Sequence, residues 1–263
     1  MRAGIITGSG SYEWPSLAVT STTTVSTRFG DVHLTEGTVG AVDVIHLARH
    51  GPSHARLSNQ IQHRANLTAL IDRGVDFVIS LTVCGALDPA AELGFLVVFD
   101  DLYFPSNRLP DGSLCTWHDT PGAAGRGHWI FDLPFSEALR GHAIAAAREL
   151  DIAVIEHGCY GHVDGPRFNS RSEIAALAGN GVTAVSQSAG PEIVLAGEAE
   201  VPILLLGYLT DHANAVRHVP QPVGALIERM HAATGVFARI VDATLSRVLA
   251  VPPPVGTNYR FDA

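Results

Sequence analysis

Lysine is absent from this sequence, and all 17 basic residues are arginine. The absence excludes enzymes that form a Schiff base on a lysine and those that bind phosphate through a loop lysine, as many NTPases and kinases do. Against 26 acidic residues the formal net charge is −9. Nucleic acids and anionic membranes are bound through Lys and Arg, so the charge balance predicts neither as a partner.

Cysteine is also scarce, with only Cys84, Cys115 and Cys159. Three scattered cysteines exclude a disulfide framework and a Cys-based zinc site, and an odd count favours a reducing compartment. No apolar run approaches the roughly 20 residues that span a bilayer, and the N-terminus has strand character rather than that of a signal peptide. We therefore expect a cytoplasmic protein.

Thirteen histidines raise the possibility of a metal site. His50 and His54 are four residues apart, but Gly51 and Pro52 lie between them and argue against a regular helix. The sequence has no His-Glu-x-x-His motif and no cysteine partners at ligand spacing. We expect no metal cofactor.

The fold is predicted from length and periodicity. With 263 residues, 46% of them hydrophobic, the chain can form one domain over residues 1–263 with a sizeable core. Short segments rich in β-branched residues alternate with helical patterns, which predicts an α/β fold with a central mixed β-sheet flanked by helices. The predicted strands are Gly4–Thr7, Val32–Glu36, Val42–Leu47, Phe77–Val83, Leu96–Phe99, Ala153–His157, Ala184–Val185 and Ile203–Tyr208. The predicted helices are Asn59–Arg73, Ser136–Leu150, Ser170–Ala178, Pro191–Glu198 and Val223–Leu249, and Pro105–Gly127 is an irregular excursion.

Polar residues follow several predicted strands, and ligands of α/β folds bind at such strand ends. The turn Gly8-Ser9-Gly10-Ser11 offers backbone N–H groups and hydroxyls to a phosphate. Arg49-His50 ends the third strand, and arginine makes forked bonds to phosphate oxygens. Thr82 and Ser188 add hydroxyls at further strand ends. An ordinary turn and an arginine paired with a carboxylate remain alternative explanations of these features.

Two further features point to a heterocycle. The turn Gly165-Pro166-Arg167-Phe168 presents an aromatic ring that could stack on a base, although a core phenylalanine is the simpler explanation. Asp211 follows the buried strand Ile203–Tyr208, where a carboxylate is costly unless it has a partner or a catalytic task. With a raised pKa it could donate a proton to a ring nitrogen.

Six segments, in order along nearly the whole chain, are similar to motifs of one family. They are Ile5-Ile6-Thr7-Gly8-Ser9-Gly10, Leu47-Ala48-Arg49-His50-Gly51 with His54, Thr82-Val83-Cys84-Gly85-Ala86-Leu87, Gly165-Pro166-Arg167-Phe168, Pro191-Glu192-Ile193-Val194-Leu195-Ala196 and Leu209-Thr210-Asp211. Together they resemble the purine nucleoside phosphorylase family, and within it the methylthioadenosine phosphorylase branch.

The resemblance implies a nucleoside phosphorylase-like single domain with a partly barrel-like sheet, and a role for each matching residue. Inorganic phosphate, as co-substrate and with no other cofactor, would be bound by Ser9, Arg49, His50, Thr82, Ser188 and the Val83 N–H. The nucleoside would contact Phe168 through the purine, Asp211 through N7 and the 6-substituent, the Gln187 backbone through the ribose hydroxyls, and Val223 through the 5′ group. His128 would reach the neighbouring subunit's 5′ pocket in a homotrimer. Asp211 and His50 would be catalytic.

The implied reaction is phosphorolysis of a purine nucleoside, with 5′-methylthioadenosine as the best candidate. Asp211 suits a 6-amino group, and the apolar Val223 suits a methylthio group. The chain departs from the family pattern at Ser186, Gln187 and Ala213, which replace Asn, Met and a second Asp. Inosine, adenosine or another 5′-deoxy nucleoside therefore stays open as substrate. Other classes also stay open: a water-using nucleosidase, a metal-dependent hydrolase and a non-catalytic purine-binding protein.

Overall fold

The computed structural model describes residues 1–9, 14–219, 221–248 and 257–261, and these form a large mixed sheet, a two-stranded sheet and five helices. The strands are β1 (Arg2–Thr7), β2 (Ala18–Thr27), β3 (Gly30–Val39), β4 (Val42–Ala48), β5 (Phe77–Ala86), β6 (Leu96–Val98), β7 (Asp101–Tyr103), β8 (Gly127–Ile130), β9 (Val154–Ile155), β10 (Cys159–His162), β11 (Val182–Ser186), β12 (Ile203–His212) and β13 (Thr257–Arg260). The helices are α1 (His63–Ile71), α2 (Glu137–Glu149), α3 (Arg171–Gly179), α4 (Gly190–Glu198) and α5 (Val223–Leu245).

The main sheet is mixed and runs in the order β2-β3-β4-β1-β5-β11-β10-β7. β12 pairs parallel with β5 and antiparallel with β6, and β6 continues to β9. β8 and β13 form the separate two-stranded sheet. The predicted α/β architecture with a mixed sheet flanked by helices is confirmed.

Two apolar cores lie on opposite faces of the sheet, because successive strand residues alternate between faces. On β1, Ile6 belongs to the core that contains residues of α1 and α4, whereas Ile5 belongs to the core formed with α2 and α5. On β5, Val78 and Ile79 divide in the same way. Strands covered on both faces are mostly apolar, which is why β1, β5 and β12 were recognisable from sequence.

The predicted helix starts are confirmed where the sequence contains capping residues. The Ser136 hydroxyl accepts the N–H of Leu139 at the start of α2, and Ser170 forms a capping box with Glu173 at the start of α3. α4 carries Pro191 in its first turn. These short-range contacts depend only on neighbouring residues.

Several predicted boundaries are wrong. α1 begins at His63 rather than Asn59, because Ser58–Gln60 form a separate 3₁₀ turn and Ile61 is extended. The strand over Asp211 continues to His212, so Asp211 lies within β12 and not after it. Strands β2, β7, β8, β10 and β13 were not predicted; β2 is a mostly exposed edge strand rich in Ser and Thr. α5 ends at Leu245, and Leu249 lies outside the described residues.

The excursion over 105–126 is irregular as predicted, with β8 beginning at Gly127. Across the described ranges, no helix has the length and apolar character needed to cross a membrane. Nor do three or more His, Cys, Asp or Glu side chains come together there as a metal-binding group.

Candidate active site

The site lies where the strand partners of β5 diverge. One edge of β5 is covered by β12 along its length. On the other edge, β1 pairs with β5 as far as Ser80, and β11 pairs with it at Gly85 and Ala86. Between these pairings, residues 81–84 face the ends of β1, β4 and β11. Side chains from separate parts of the chain therefore converge beside Thr82 and Val83.

A cavity of about 260 Å³ occupies this position. Its lining includes nine of the eleven residues predicted from the sequence: Ser9, Arg49, His50, Thr82, Val83, Phe168, Gln187, Ser188 and Asp211. Gly10 and Ser11, the second half of the predicted glycine turn, lie outside the described residues. The sequence-predicted phosphate and nucleoside residues thus line one common space.

Arg49 is fully buried and already holds a carboxylate. Its Nε and Nη2 donate to the two carboxylate oxygens of Glu192 at 2.7 and 2.9 Å. Nη2 also donates to Ser80 Oγ at 2.7 Å, and Nη1 donates to the Leu81 carbonyl at 2.6 Å. The forked edge predicted for phosphate is therefore occupied by Glu192. Of the five guanidinium N–H groups, the second one on Nη1 makes a long bond of 3.5 Å to Ser188 Oγ and is the one that a ligand could most easily take over.

The position of Arg49 Nη1 depends on the absence of a side chain at the neighbouring Gly8. A Cβ added at Gly8 would lie 2.7 Å from Arg49 Nη1 and 3.2 Å from the Leu81 carbonyl. We expect Gly8→Ala to displace Nη1 and to raise the KM for phosphate several-fold, with a smaller change in the KM for nucleoside. Steady-state kinetics with each substrate varied would measure both constants.

Gly141 supplies the matched control for this prediction. It lies inside α2, where an added Cβ meets nothing within 4 Å. Gly141→Ala should leave both constants unchanged and be neutral or stabilising, because alanine is the better helix former. Equal phosphate KM values for the two variants would contradict the role of the Gly8–Arg49 contact.

His50 enters the cavity as a neutral ring. Its Nδ1 lies 2.9 Å from the carbonyl oxygen of Arg56, and the ring stacks on His54 at 4.2 Å between centroids. Burial, and after it the charge of Arg49, lowers the pKa of His50 to about 3. His50 therefore adds no positive charge, and Arg49 is balanced by Glu192. An oxyanion at this position would be held by hydrogen bonds rather than by net charge.

Three hydroxyl groups line the cavity near Arg49 and His50. Ser188 and Thr82 are almost fully buried, and the Thr82 hydroxyl lies 3.1 Å from both Ser186 Oγ and the Val83 carbonyl. Ser9 lines the cavity from the end of β1. Hydroxyls of this kind rotate to donate to whichever oxyanion oxygen is present.

Asp211 provides a carboxyl group in the same cavity. Burial raises its pKa, although the Thr210 hydroxyl, which donates to Oδ1 at 2.8 Å, opposes the shift together with the charges of His212 and Arg229. The prediction of a raised pKa is confirmed in direction. The protonated form of Asp211 therefore persists to higher pH than that of an ordinary aspartate.

Phe168 and Gln187 complete the predicted nucleoside side. Phe168 lines the cavity and is 62% exposed, so it belongs to the cavity wall rather than to the core. The Gln187 side chain is held by two bonds, accepting from Ser58 Oγ at 3.0 Å and donating to the Arg167 carbonyl at 2.9 Å. This arrangement ties the Arg167–Phe168 turn to the end of β11.

Two predicted residues do not line the cavity. Val223 is 70% exposed in the first turn of α5, and from that helix Leu226 and Met230 line the cavity instead. Val223 therefore lies outside the cavity of its own chain, because helical rotation decides which residues face inward, and its role at a 5′ pocket stays a prediction. His128 lies on β8, where its ring contacts Phe261, and its role in a neighbouring subunit stays a prediction.

The sequence analysis missed the residue that holds Arg49. Glu192 is 0% exposed and lies in the first turn of α4, a helix whose other residues are mostly apolar and buried. A carboxylate within an apolar helix requires a partner, and this was the available signal. No sequence signal identified Leu226 or Met230, because they repeat the ordinary apolar face of a helix.

Fold and cavity together define an α/β protein in which the residues predicted for an oxyanion and those predicted for a heterocycle share one cavity. The family model described as the phosphorylase superfamily matches residues 2–246. The chain therefore belongs to the phosphorylase superfamily. The resemblance stated from the six motifs is confirmed.

Relatives of several substrate classes are similar to this chain. The 6-oxopurine nucleoside phosphorylase of Pyrococcus furiosus is 32% identical over 216 residues, covering 81% of this chain and 80% of the relative. The S-methyl-5′-thioadenosine phosphorylase of Caenorhabditis elegans is 32% identical over 218 residues, covering 81% and 74%. A solved methylthioadenosine phosphorylase from Schistosoma mansoni, in complex with adenine, superposes with a TM-score of 0.85 at 25% identity, covering 93% of this chain and 90% of that one. The enzyme class predicted from the sequence is confirmed.

Proposed function

We propose that this protein catalyses phosphorolysis of a purine nucleoside and yields the free purine and a pentose 1-phosphate. The observation that carries the proposal is the shared cavity. It brings oxyanion donors from Arg49, Thr82 and Ser188 together with Asp211, a half-buried carboxyl group of raised pKa, and with the exposed ring of Phe168. A phosphate site and a base site in one space are what transfer of a pentosyl group to phosphate requires.

The chemistry follows from these positions. As the bond between C1′ and the purine breaks, its electron pair moves to the purine and positive charge develops on the pentose ring. Asp211 donates a proton to N7 and neutralises the leaving base. Phosphate, held by hydrogen bonds with Arg49 balanced by Glu192, keeps most of its negative charge and stabilises the ring before bonding to C1′.

The favoured substrate is 5′-methylthioadenosine. The carbonyl oxygen of the protonated Asp211 carboxyl group can accept from a 6-amino group while its hydroxyl donates to N7. α5 contributes the apolar side chains of Leu226 and Met230 to the cavity. An apolar wall suits a methylthio group better than a free hydroxyl, which would be left without a partner. Nucleosides of 6-oxopurines are the second candidate, because Ala213 provides no second carboxylate on the base loop and the relatives include a 6-oxopurine enzyme.

Product analysis on a nucleoside panel tests the proposal. Methylthioadenosine, methylthioinosine, adenosine and inosine would each be incubated with and without phosphate, and free base and pentose 1-phosphate measured. We expect base to form only with phosphate, and fastest from methylthioadenosine. Equal base formation without phosphate would indicate a nucleosidase, and nucleoside binding without base formation would indicate a binding protein.

The assembly is expected to be a homotrimer in which His128 of each subunit approaches a neighbour's 5′ pocket. This proposal also puts the exposed Val223 and the 105–126 excursion at subunit contacts. Sedimentation equilibrium should give the mass of about three chains. A fully active monomer would contradict the trimer, whatever the substrate.

A cytoplasmic location and the lack of any cofactor beyond phosphate stay predictions.

A further inference from the structure

The hydrogen bond between His50 and Arg56 determines which nitrogen of the imidazole carries a proton. Nδ1 of His50 lies 2.9 Å from the Arg56 carbonyl oxygen. A carbonyl oxygen only accepts hydrogen bonds, so Nδ1 must be the donor and must carry the hydrogen. In a neutral ring, Nε2 then holds a lone pair and acts only as an acceptor.

The surroundings keep the ring neutral. His50 is buried, is stacked on the His54 ring at an interplanar angle of 11°, and follows the permanently charged Arg49. A second positive charge here would lose hydration and meet the guanidinium, and the pKa of His50 is lowered to about 3. At neutral pH the acceptor form therefore predominates.

The neighbouring polar groups can donate to an oxyanion. The second Nη1 N–H of Arg49 makes a long bond of 3.5 Å to Ser188 Oγ that a ligand can replace, and the hydroxyls of Ser9 and Ser188, which can donate or accept, line the same space. Since Nδ1 is committed to the backbone, Nε2 is the polar atom that His50 presents to a ligand. We propose that Nε2 of His50 accepts a hydrogen bond from a hydroxyl of the bound oxyanion, so that the site selects an oxyanion that carries a proton, as hydrogen phosphate does.

This inference rests on the proposed function, because it concerns the co-substrate of the same site. An arginine N–H donates to any oxyanion, and a hydroxyl rotates to donate or accept, so neither discriminates between protonated and unprotonated oxyanions. An acceptor does discriminate, because an oxyanion without a proton would place its lone pairs against the Nε2 lone pair. The bond also holds the protonated oxygen, the poorest nucleophile, at His50 and leaves the unprotonated oxygens for the anomeric carbon.

Oxyanions of similar size and different protonation provide the test. At neutral pH, phosphate and arsenate carry a hydroxyl, whereas sulfate and the monofluorophosphate dianion carry none. We expect arsenate to replace phosphate as co-substrate with a KM within a few-fold. Sulfate and monofluorophosphate should inhibit competitively with constants about tenfold or more above the phosphate KM, the penalty of an unpaired buried polar group. Inhibition by monofluorophosphate as tight as phosphate binding would overturn the proposal.

Two variants sharpen the comparison. His50→Gln supplies an amide N–H as well as an acceptor, so the ratio of the monofluorophosphate inhibition constant to the phosphate KM should fall toward one. His54→Gln removes the stacking partner and keeps His50 with its Arg56 bond, so the ratio should persist. A ratio that falls in His54→Gln and persists in His50→Gln would contradict the assignment.

A spectroscopic measurement keeps the proposal testable if the variants fold poorly. Two-dimensional ¹⁵N NMR of the histidine side chains in the wild-type protein should show His50 with a protonated Nδ1 and an unprotonated Nε2 at neutral pH. A proton on Nε2 would overturn the proposal directly. Absence of any phosphate-dependent cleavage would refute the proposed function, whereas normal phosphorolysis without oxyanion discrimination would refute only the His50 assignment.

Discussion

Asp211→Asn should lower turnover of 6-aminopurine nucleosides by about a hundredfold or more, the usual effect of losing a general acid. Asparagine can donate a hydrogen bond to N7 but cannot transfer a proton to it. The amide can also donate to O6, so relative preference should shift toward 6-oxopurines. The ratio of kcat/KM for methylthioadenosine and inosine, in the wild type and the variant, measures both effects.

A substrate control separates proton transfer from binding. A 7-methylpurine nucleoside already carries positive charge on its leaving group and needs no proton at N7, so Asp211→Asn should retain most of its activity on this substrate. Wild-type activity on ordinary nucleosides should fall as pH rises through the raised pKa of Asp211, because the protonated form is the active one. The activity of the variant should not show this fall with rising pH. Equal losses on both substrates would contradict the general-acid role.

Breaking the Arg49–Glu192 pair should have the largest effect on stability. Both side chains are 0% exposed, and removing one partner leaves the other charge buried and unpaired, at a cost of about 3–5 kcal/mol. Truncating Arg49 therefore weakens the fold as well as phosphate binding.

A double-mutant cycle isolates the pair. We expect Arg49→Met and Glu192→Gln each to lower the free energy of unfolding by about 3–5 kcal/mol. The double variant buries no unpaired charge, so its loss should be clearly smaller than the sum of the two. Urea denaturation of the four proteins measures these values. Additive losses would show that the two side chains are not coupled.

Sequence patterns were sufficient wherever the determinants lie close together in the chain. The N-caps at Ser136 and Ser170 and the apolar strands β1, β5 and β12 follow from neighbouring residues and from burial on both faces of the sheet. The edge strand β2 could not be predicted in this way, because its Ser and Thr residues are mostly exposed and only their pairing with β3 makes them a strand. Edge strands depend on a partner more than on their own apolar pattern.

At the candidate site, the residue types that follow the strands could be read from the sequence, and nine of the eleven predicted residues line one cavity. How these residues are used depends on contacts between distant segments. Arg49 and Glu192 are 143 positions apart, and their pairing leaves one arginine N–H where a fork was expected. The rotation of α5 turned Leu226 inward and left Val223 exposed. The physical reason is that residue type specifies the hydrogen bonds and charges a side chain can offer, whereas packing between distant segments decides which of them are already satisfied.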